Sequence, residues 1–140
     1  MVFADIRAGV FPYSGDRGTI VRPDVISDFR ALPFADETFQ VVVFDPPHLV
    51  DPGPNSWMRA KYGALTPKSW RPDITAGFAE AFRVLKPMGT LIFKWNQTDI
   101  ATSEILKLTD RKPLFGHPSG KRASTHWVCF LNEPSEWDLI

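Results

Sequence analysis

The chain has a single cysteine, Cys129, in 140 residues. A lone thiol builds neither a disulfide scaffold nor a thiolate zinc site. The three histidines, His48, His117 and His126, lie far apart in the sequence, so no metal site is expected. No apolar run approaches the roughly eighteen residues that a membrane-crossing helix needs, and MVFADIRAG is not a signal peptide. The expected compartment is therefore the cytoplasm, with no membrane partner. Net charge is missing too, at +0 near neutrality. That argues against a protein that wraps nucleic acid by bulk charge alone. No serine sits in a nucleophile-elbow pattern.

What is present is ordinary globular material. Apolar residues make up 44% and charged residues 23%, which excludes a disordered or fibrous chain. The length suits a single domain, residues 1–140. The neutral total hides an asymmetry. Residues 1–51 hold four basic and eight acidic side chains, whereas residues 52–126 hold twelve basic and five acidic, a net of +7. A basic middle can offer a positive face to a polyanion, or it can be a solvated surface of mixed charge.

Strand and helix signals alternate. VFADI (2–6) and GTIV (18–21) are short and apolar. FQVVVFD (39–45) is the strongest strand signal, and its continuous apolar run predicts burial on both faces of a parallel sheet. Prolines and glycines crowd residues 50–72, which predicts a long loop with at most one short helix. From Asp73, a plausible N-cap, Ile74, Phe78, Ala81, Phe82 and Leu85 recur at helical spacing until Pro87 and Gly89 stop the helix. TLIFKW (90–95) predicts a strand and TDIATSEILKLT (98–109) a helix. KPLFG (112–116) and THWVCFL (125–131) predict two strands around the turn HPSGKR, with Cys129 in the core. The expected fold is an α/β sheet, mostly parallel, with an antiparallel edge hairpin.

The residues that carry chemistry follow the buried-strand signal. Asp45-Pro46-Pro47-His48 begins where VVVF ends, and ligands of open α/β sheets bind outside the carboxyl ends of strands. Proline has no N–H and a fixed φ, so the carbonyls here are rigidly aimed and free of a ladder. A carboxylate beside an aimed carbonyl suits an NH₂ group, which has two donors. The same four residues also read as a strand-ending turn with a solvated aspartate. Asp28 follows another strand-like stretch, and Lys94-Trp95-Asn96 end the strand TLIFKW. Carboxylates, an imidazole, an amine, an indole and an amide are thus expected on one rim.

D-x-R-x-L-P-F-x-D-x-x-F, V-V-V-F-D-P-P and R-V-L-K-P-x-G-T-L together resemble the class I methyltransferases that use S-adenosylmethionine. Asp-Pro-Pro-His is similar to the motif of enzymes that methylate exocyclic amines of nucleobases. The nearest pattern is the Asp-Pro-Pro-Trp adenine-N6 family, in its short phage and prophage form. The resemblance spans about residues 24–132. It implies a minimal Rossmann-like methyltransferase sheet, a DNA or RNA substrate, and S-adenosylmethionine as methyl donor. Asp45, Pro46 and Pro47 would then hold the amine, and His48 would lie against the base. Asp5, Asp28 and Phe29, with Lys94, Asn96, His126 and Trp127, would serve the donor. Two departures stand out. His48 replaces the usual Trp, Tyr or Phe, and Gly9, Gly15 and Gly18 are scattered instead of forming a glycine-rich donor loop. A second subunit completing the donor site, a homo-oligomer, is one expected remedy.

Two further clusters suit nucleic acid. Arg59 and Lys61, with Trp57 and Tyr62, mix basic and aromatic side chains. His117, Lys121 and Arg122, with Ser119, form a basic turn suited to phosphate. The alternatives are a covering over a small core and a solvated hairpin tip. A non-catalytic relative that binds the donor or nucleic acid is the competing function.

Overall fold

The computed structural model describes residues 1–12 and 18–134. Gly15 and Trp137 lie outside the described residues, as do the side chains of Trp57, Lys61 and Tyr62. The chain begins with four short strands: β1 (Ala4–Asp5), β2 (Gly9–Phe11), β3 (Thr19–Val21) and β4 (Val25–Ile26). β1 pairs parallel with β4, and β2 antiparallel with β3, as ribbons separate from the main sheet. VFADI and GTIV are thus extended where expected, but for two and three residues only.

The main sheet contains β5 (Phe39–Phe44), β6 (Leu85–Asn96), β7 (Phe115–Ser119) and β8 (Thr125–Leu131), in the order β5-β6-β8-β7. Only β5 and β6 are parallel; β8 runs antiparallel to both β6 and β7. The sheet is therefore mixed, not mostly parallel. The chain leaves β6 for the outermost strand and returns as a hairpin, which inserts β8 antiparallel beside β6. The expected edge hairpin is present.

Helices α1 (Trp57–Tyr62), α2 (Trp70–Arg83) and α3 (Thr102–Ile105), with a 3₁₀ turn at Leu106–Leu108, complete the described structure. One sheet face and the helices enclose the core, where Phe44, Phe78, Phe93 and Phe130 meet Trp95, Ile74 and Ile105. Burying such a side chain stabilises by about 1.5–3 kcal/mol. Most of its rings contact edge-on or tilted, as in Phe44–Phe78 at 5.6 Å and Phe78–Phe93 at 4.7 Å, while Phe93 and Trp95 stack at 6.1 Å. Gly77 of α2 faces the ring of Phe44, and a Cβ there would come within 2.5 Å of Phe44 Cζ.

The structure revises several boundaries. β5 lies at a sheet edge, with Val41 and Val43 53% and 60% exposed, so one face is uncovered rather than both buried. α2 starts at Trp70 and takes in Pro72, because a proline in the first turn forfeits no intrahelical bond. Its N-cap is Ser69, and Asp73 instead places its charge in the first turn, where the helix dipole favours it. β6 runs through Pro87 and Gly89 by a bulge, with Met88 at φ 62°. A Cβ at Gly89 would meet Lys86 O at 2.8 Å and Gln40 O at 2.9 Å, so only glycine fits there. The helix expected over 98–109 shrinks to α3 and the 3₁₀ turn, since Ala101 is extended at ψ 142° and Ile100 O accepts from Trp95 Nε1. β7 extends to Ser119, which puts His117 in a strand rather than in the turn. Pro118 is tolerated because β7 is an edge strand. Cys129 is half-buried on the uncovered face, not in the core.

A guanidinium clamp holds the segment between β4 and β5. Arg83 donates to Phe34 O (2.8 Å) and Leu32 O (3.1 Å) and pairs with Asp36 (2.8 Å). Glu80, which accepts from Leu32 N at 2.9 Å, also pairs with Arg83. Leu-Pro-Phe-x-Asp and Phe-Arg-Val-Leu thus have a structural job, which is to fix where β5 starts.

Candidate active site

β5 delivers Asp45 to its carboxyl end. Phe44 is fixed in the core by Phe29, Phe78 and Phe93, so the next residue emerges at a defined point. The register pairs Phe44 with Phe93, which sets Asp45 beside Lys94. Lys94 Nζ lies 3.2 Å from Asp45 Oδ2, and both side chains stay partly exposed. Pro46 is buried, and neither it nor Pro47 carries an N–H. His48 meets Trp95 edge-on, at 6.4 Å and 79° between ring planes. Burial pushes the His48 imidazole below its ordinary 6.5, and Lys94 pushes the same way against Asp45 and Asp99. The imidazole is therefore neutral at pH 7, with one donor and one acceptor nitrogen.

Asp45, His48, Lys94 and Asn96 line a cavity of about 100 Å³ together with Met58 and Thr125. Four residues singled out from sequence thus converge. Thr125 was missed, although the hairpin register that pairs it with Asn96 was the available signal. Asn96 Nδ2 donates to Thr125 Oγ1 at 3.2 Å. Met58 arrives on α1, whose N-cap Ser56 accepts from Arg59 N at 3.3 Å; no sequence signal pointed to it.

The other expected residues are placed differently. Trp127 is opposite Lys94, whose amine lies 5.5 Å from the indole, and it donates Nε1–H to Ser119 Oγ at 3.2 Å. His117 is opposite Trp127 in turn, so Asp45, Lys94, Trp127 and His117 form one row across the sheet. His126 faces the other way, with Nδ1 2.9 Å from Thr102 Oγ1. Asp28 is bound by Arg30, which holds its carboxyl below the usual carboxylate range and also reaches Asp73 at 3.0 Å. Phe29 packs on Phe44 at 5.3 Å. Asp5 orients Arg7 by accepting from its N at 2.8 Å, and Arg7 donates to Ala60 O at 2.8 Å in α1. Asp5, Asp28, Phe29, His126 and Trp127 therefore do not line the cavity. Arg59 donates to Pro52 O at 3.1 Å, and Lys121 and Arg122 are exposed in the β7–β8 turn.

The arrangement pairs a hydrogen-bond-accepting carboxylate with an amine at an open strand end. Asn96 and Thr125 add polar groups, and a neutral imidazole and a methionine flank them. It can hold a polar amino group and balance charge that grows on it. Among the described residues no group of His, Cys, Asp and Glu could hold a metal ion, and no helix is long and apolar enough to cross a membrane.

No family model matches the sequence, and no curated protein does. Solved structures do match. The chain is similar to the PH0226 protein from Pyrococcus horikoshii OT3, with a TM-score of 0.52 and 17% identity over 76% of this chain and 57% of that one. It is also similar to a Leishmania major protein described as a SAM-dependent methyltransferase of the DUF858 family, with a TM-score of 0.49 and 13% identity over 76% of this chain and 44% of that one. The chain spans about half the length of these structures. At such identities the likeness is one of fold.

Proposed function

We propose that the chain is an S-adenosylmethionine-dependent methyltransferase acting on an exocyclic amine of a nucleobase, adenine N6 in DNA. The observation that carries this reading is the Asp45 carboxylate at the carboxyl end of β5, followed by two prolines and a half-buried His48. The donor set suits the cofactor. Lys94 and Asn96 offer donors to its carboxylate, and Trp127 offers an indole face to its sulfonium. Bound there, the cofactor supplies an electrophilic methyl group.

The chain's own residues supply position and electrostatics. Asp45 accepts one N–H of the amine and turns its lone pair toward the methyl carbon. Asp45 would balance the positive charge that grows on the amine nitrogen as it takes the methyl group from the donor's sulfur. The surplus proton leaves nitrogen for solvent by way of Asp45. Lys94 holds the Asp45 carboxylate at 3.2 Å until the amine arrives, and His48 presents a flat edge to the base. A duplex base would be flipped out to reach this rim. The small size of the cavity favours one second reading, a non-catalytic relative that binds nucleic acid or the donor. Titrating the chain with S-adenosylhomocysteine in a calorimeter, beside a labelled-methyl transfer assay, separates the two. Transfer supports the enzyme, and binding without transfer supports the relative.

A further inference from the structure

Beyond β5 the chain from Asp45 to Asp51 forms a strap past the candidate site. Pro46 and Pro47 have no N–H, so the sheet's ladder cannot carry it. The strap is held from two sides instead. On one side Leu65, which is buried, donates from N to Leu49 O at 2.8 Å and accepts from Asp51 N at 2.9 Å. On the other side Val50 N donates to Asp99 Oδ2 at 2.8 Å, across 49 positions of sequence. Asp99 is exposed, and an exposed carboxylate anchors poorly when its own backbone is loose. Here three successive side chains brace that backbone. Trp95 Nε1 donates to Ile100 O at 2.8 Å, Asn96 Oδ1 accepts from Thr98 N at 3.0 Å, and Gln97 Oε1 accepts from Thr102 N at 3.4 Å. Asp99 thus stands between two residues whose main chain is tied down. The same Trp95 meets His48 edge-on at 6.4 Å, so one ring touches both the strap and its brace.

We infer that Asp99 is a positioning residue for the candidate site: its hydrogen bond to Val50 N fixes the far end of the strap, and with it where His48 stands against the cavity. The near end is fixed at Phe44, whose ring is packed among Phe29, Phe78 and Phe93. Between the two anchors, Pro46 and Pro47 remove two φ rotations. A segment this stiff, tied at both ends, leaves His48 little room to move. The acceptor is a carboxylate, and charge-assisted bonds are stronger than neutral ones. The negative charge of Asp99 also reaches His48, where it acts with Asp45 against burial and Lys94. A misplacement of about 1 Å in a reacting site can cost on the order of 10²-fold in rate. The effect on methyl transfer rests on the methyltransferase reading; the strap and its anchor do not.

Asp99→Ala and Asp99→Asn in the full chain separate the bond from the charge. Asparagine keeps an oxygen that accepts from Val50 N, and alanine keeps none. Amide hydrogen exchange followed by NMR should find Val50 exchanging about tenfold faster or more in Asp99→Ala, and near the wild-type rate in Asp99→Asn. The His48 ring should titrate lower in both variants, because each removes a negative charge while Asp45 and Lys94 stay in place. In a methyl-transfer assay Asp99→Ala should lose about tenfold or more in kcat with S-adenosylhomocysteine binding unchanged, and Asp99→Asn should recover most of the rate. Unchanged exchange at Val50 in Asp99→Ala overturns the proposal. So does exchange in Asp99→Asn as fast as in Asp99→Ala, or full kcat in Asp99→Ala from an active wild type. A wild type that transfers no methyl group counts against the methyltransferase reading, and the exchange rates and the His48 titration then still decide the role of Asp99.

Discussion

Gly77→Ala probes how the core aims the site. The added Cβ would lie 2.5 Å from Phe44 Cζ and 2.8 Å from Phe29 Cδ2. Neither ring can yield cheaply, because Phe44 also abuts Phe78 and Phe93 at 5.6 Å each. A contact this short puts the overpacking in the upper part of its usual range, about 2–3 kcal/mol. The better helix propensity of alanine returns about 1 kcal/mol. The net expectation is a loss of about 1–2 kcal/mol, read from urea unfolding. Near 140 residues that lowers the melting midpoint by about 4–8 °C. Phe44 adjoins Asp45, so methyl transfer should fall by more than the unfolded fraction explains. A variant as stable as the wild type, or more so, would refute the packing argument; full activity at reduced stability would refute its link to the site.

Three further outcomes follow from the geometry. Burial lowers the His48 pKa, so the unfolded chain takes up this proton near pH 6.5 while the folded chain does not. Stability therefore falls as pH drops through that value, until folded His48 protonates as well. Urea midpoints of His48→Gln should lack this component of the pH dependence, and an unchanged slope would count against it. Lys94→Met should leave stability nearly unchanged, since so exposed a pair contributes about 0–1 kcal/mol. It should slow methyl transfer and weaken donor binding, because the amine that holds the Asp45 carboxylate at 3.2 Å is gone. Arg83→Met should unclip residues 32–36, which lowers the melting midpoint and opens that segment to limited proteolysis.

Much of this was legible in local pattern. β8 has the expected bounds, and Asp45, His48, Lys94 and Asn96 meet as their strand ends implied. Sheet order was not legible. Val41-Val42-Val43 reads the same whether one face is covered or two, because burial is decided by distant neighbours. Pro87 and Gly89 read as a stop, but the left-handed Met88 turns them into a bulge. Thr102, not a donor pocket, holds His126, a contact between segments that no local spacing reveals.

The most direct test of the central claim compares wild type with Asp45→Asn in a transfer assay. Labelled S-adenosylmethionine is offered with duplex DNA, single-stranded DNA and RNA, and the products are resolved by nucleoside mass analysis. The expected result is N6-methyladenine in DNA from the wild type. The variant should keep donor binding but lose about 10²–10³ in rate, as when one transition-state contact is removed. Equal transfer by the variant, or no transfer by a wild type that binds no donor, would contradict it.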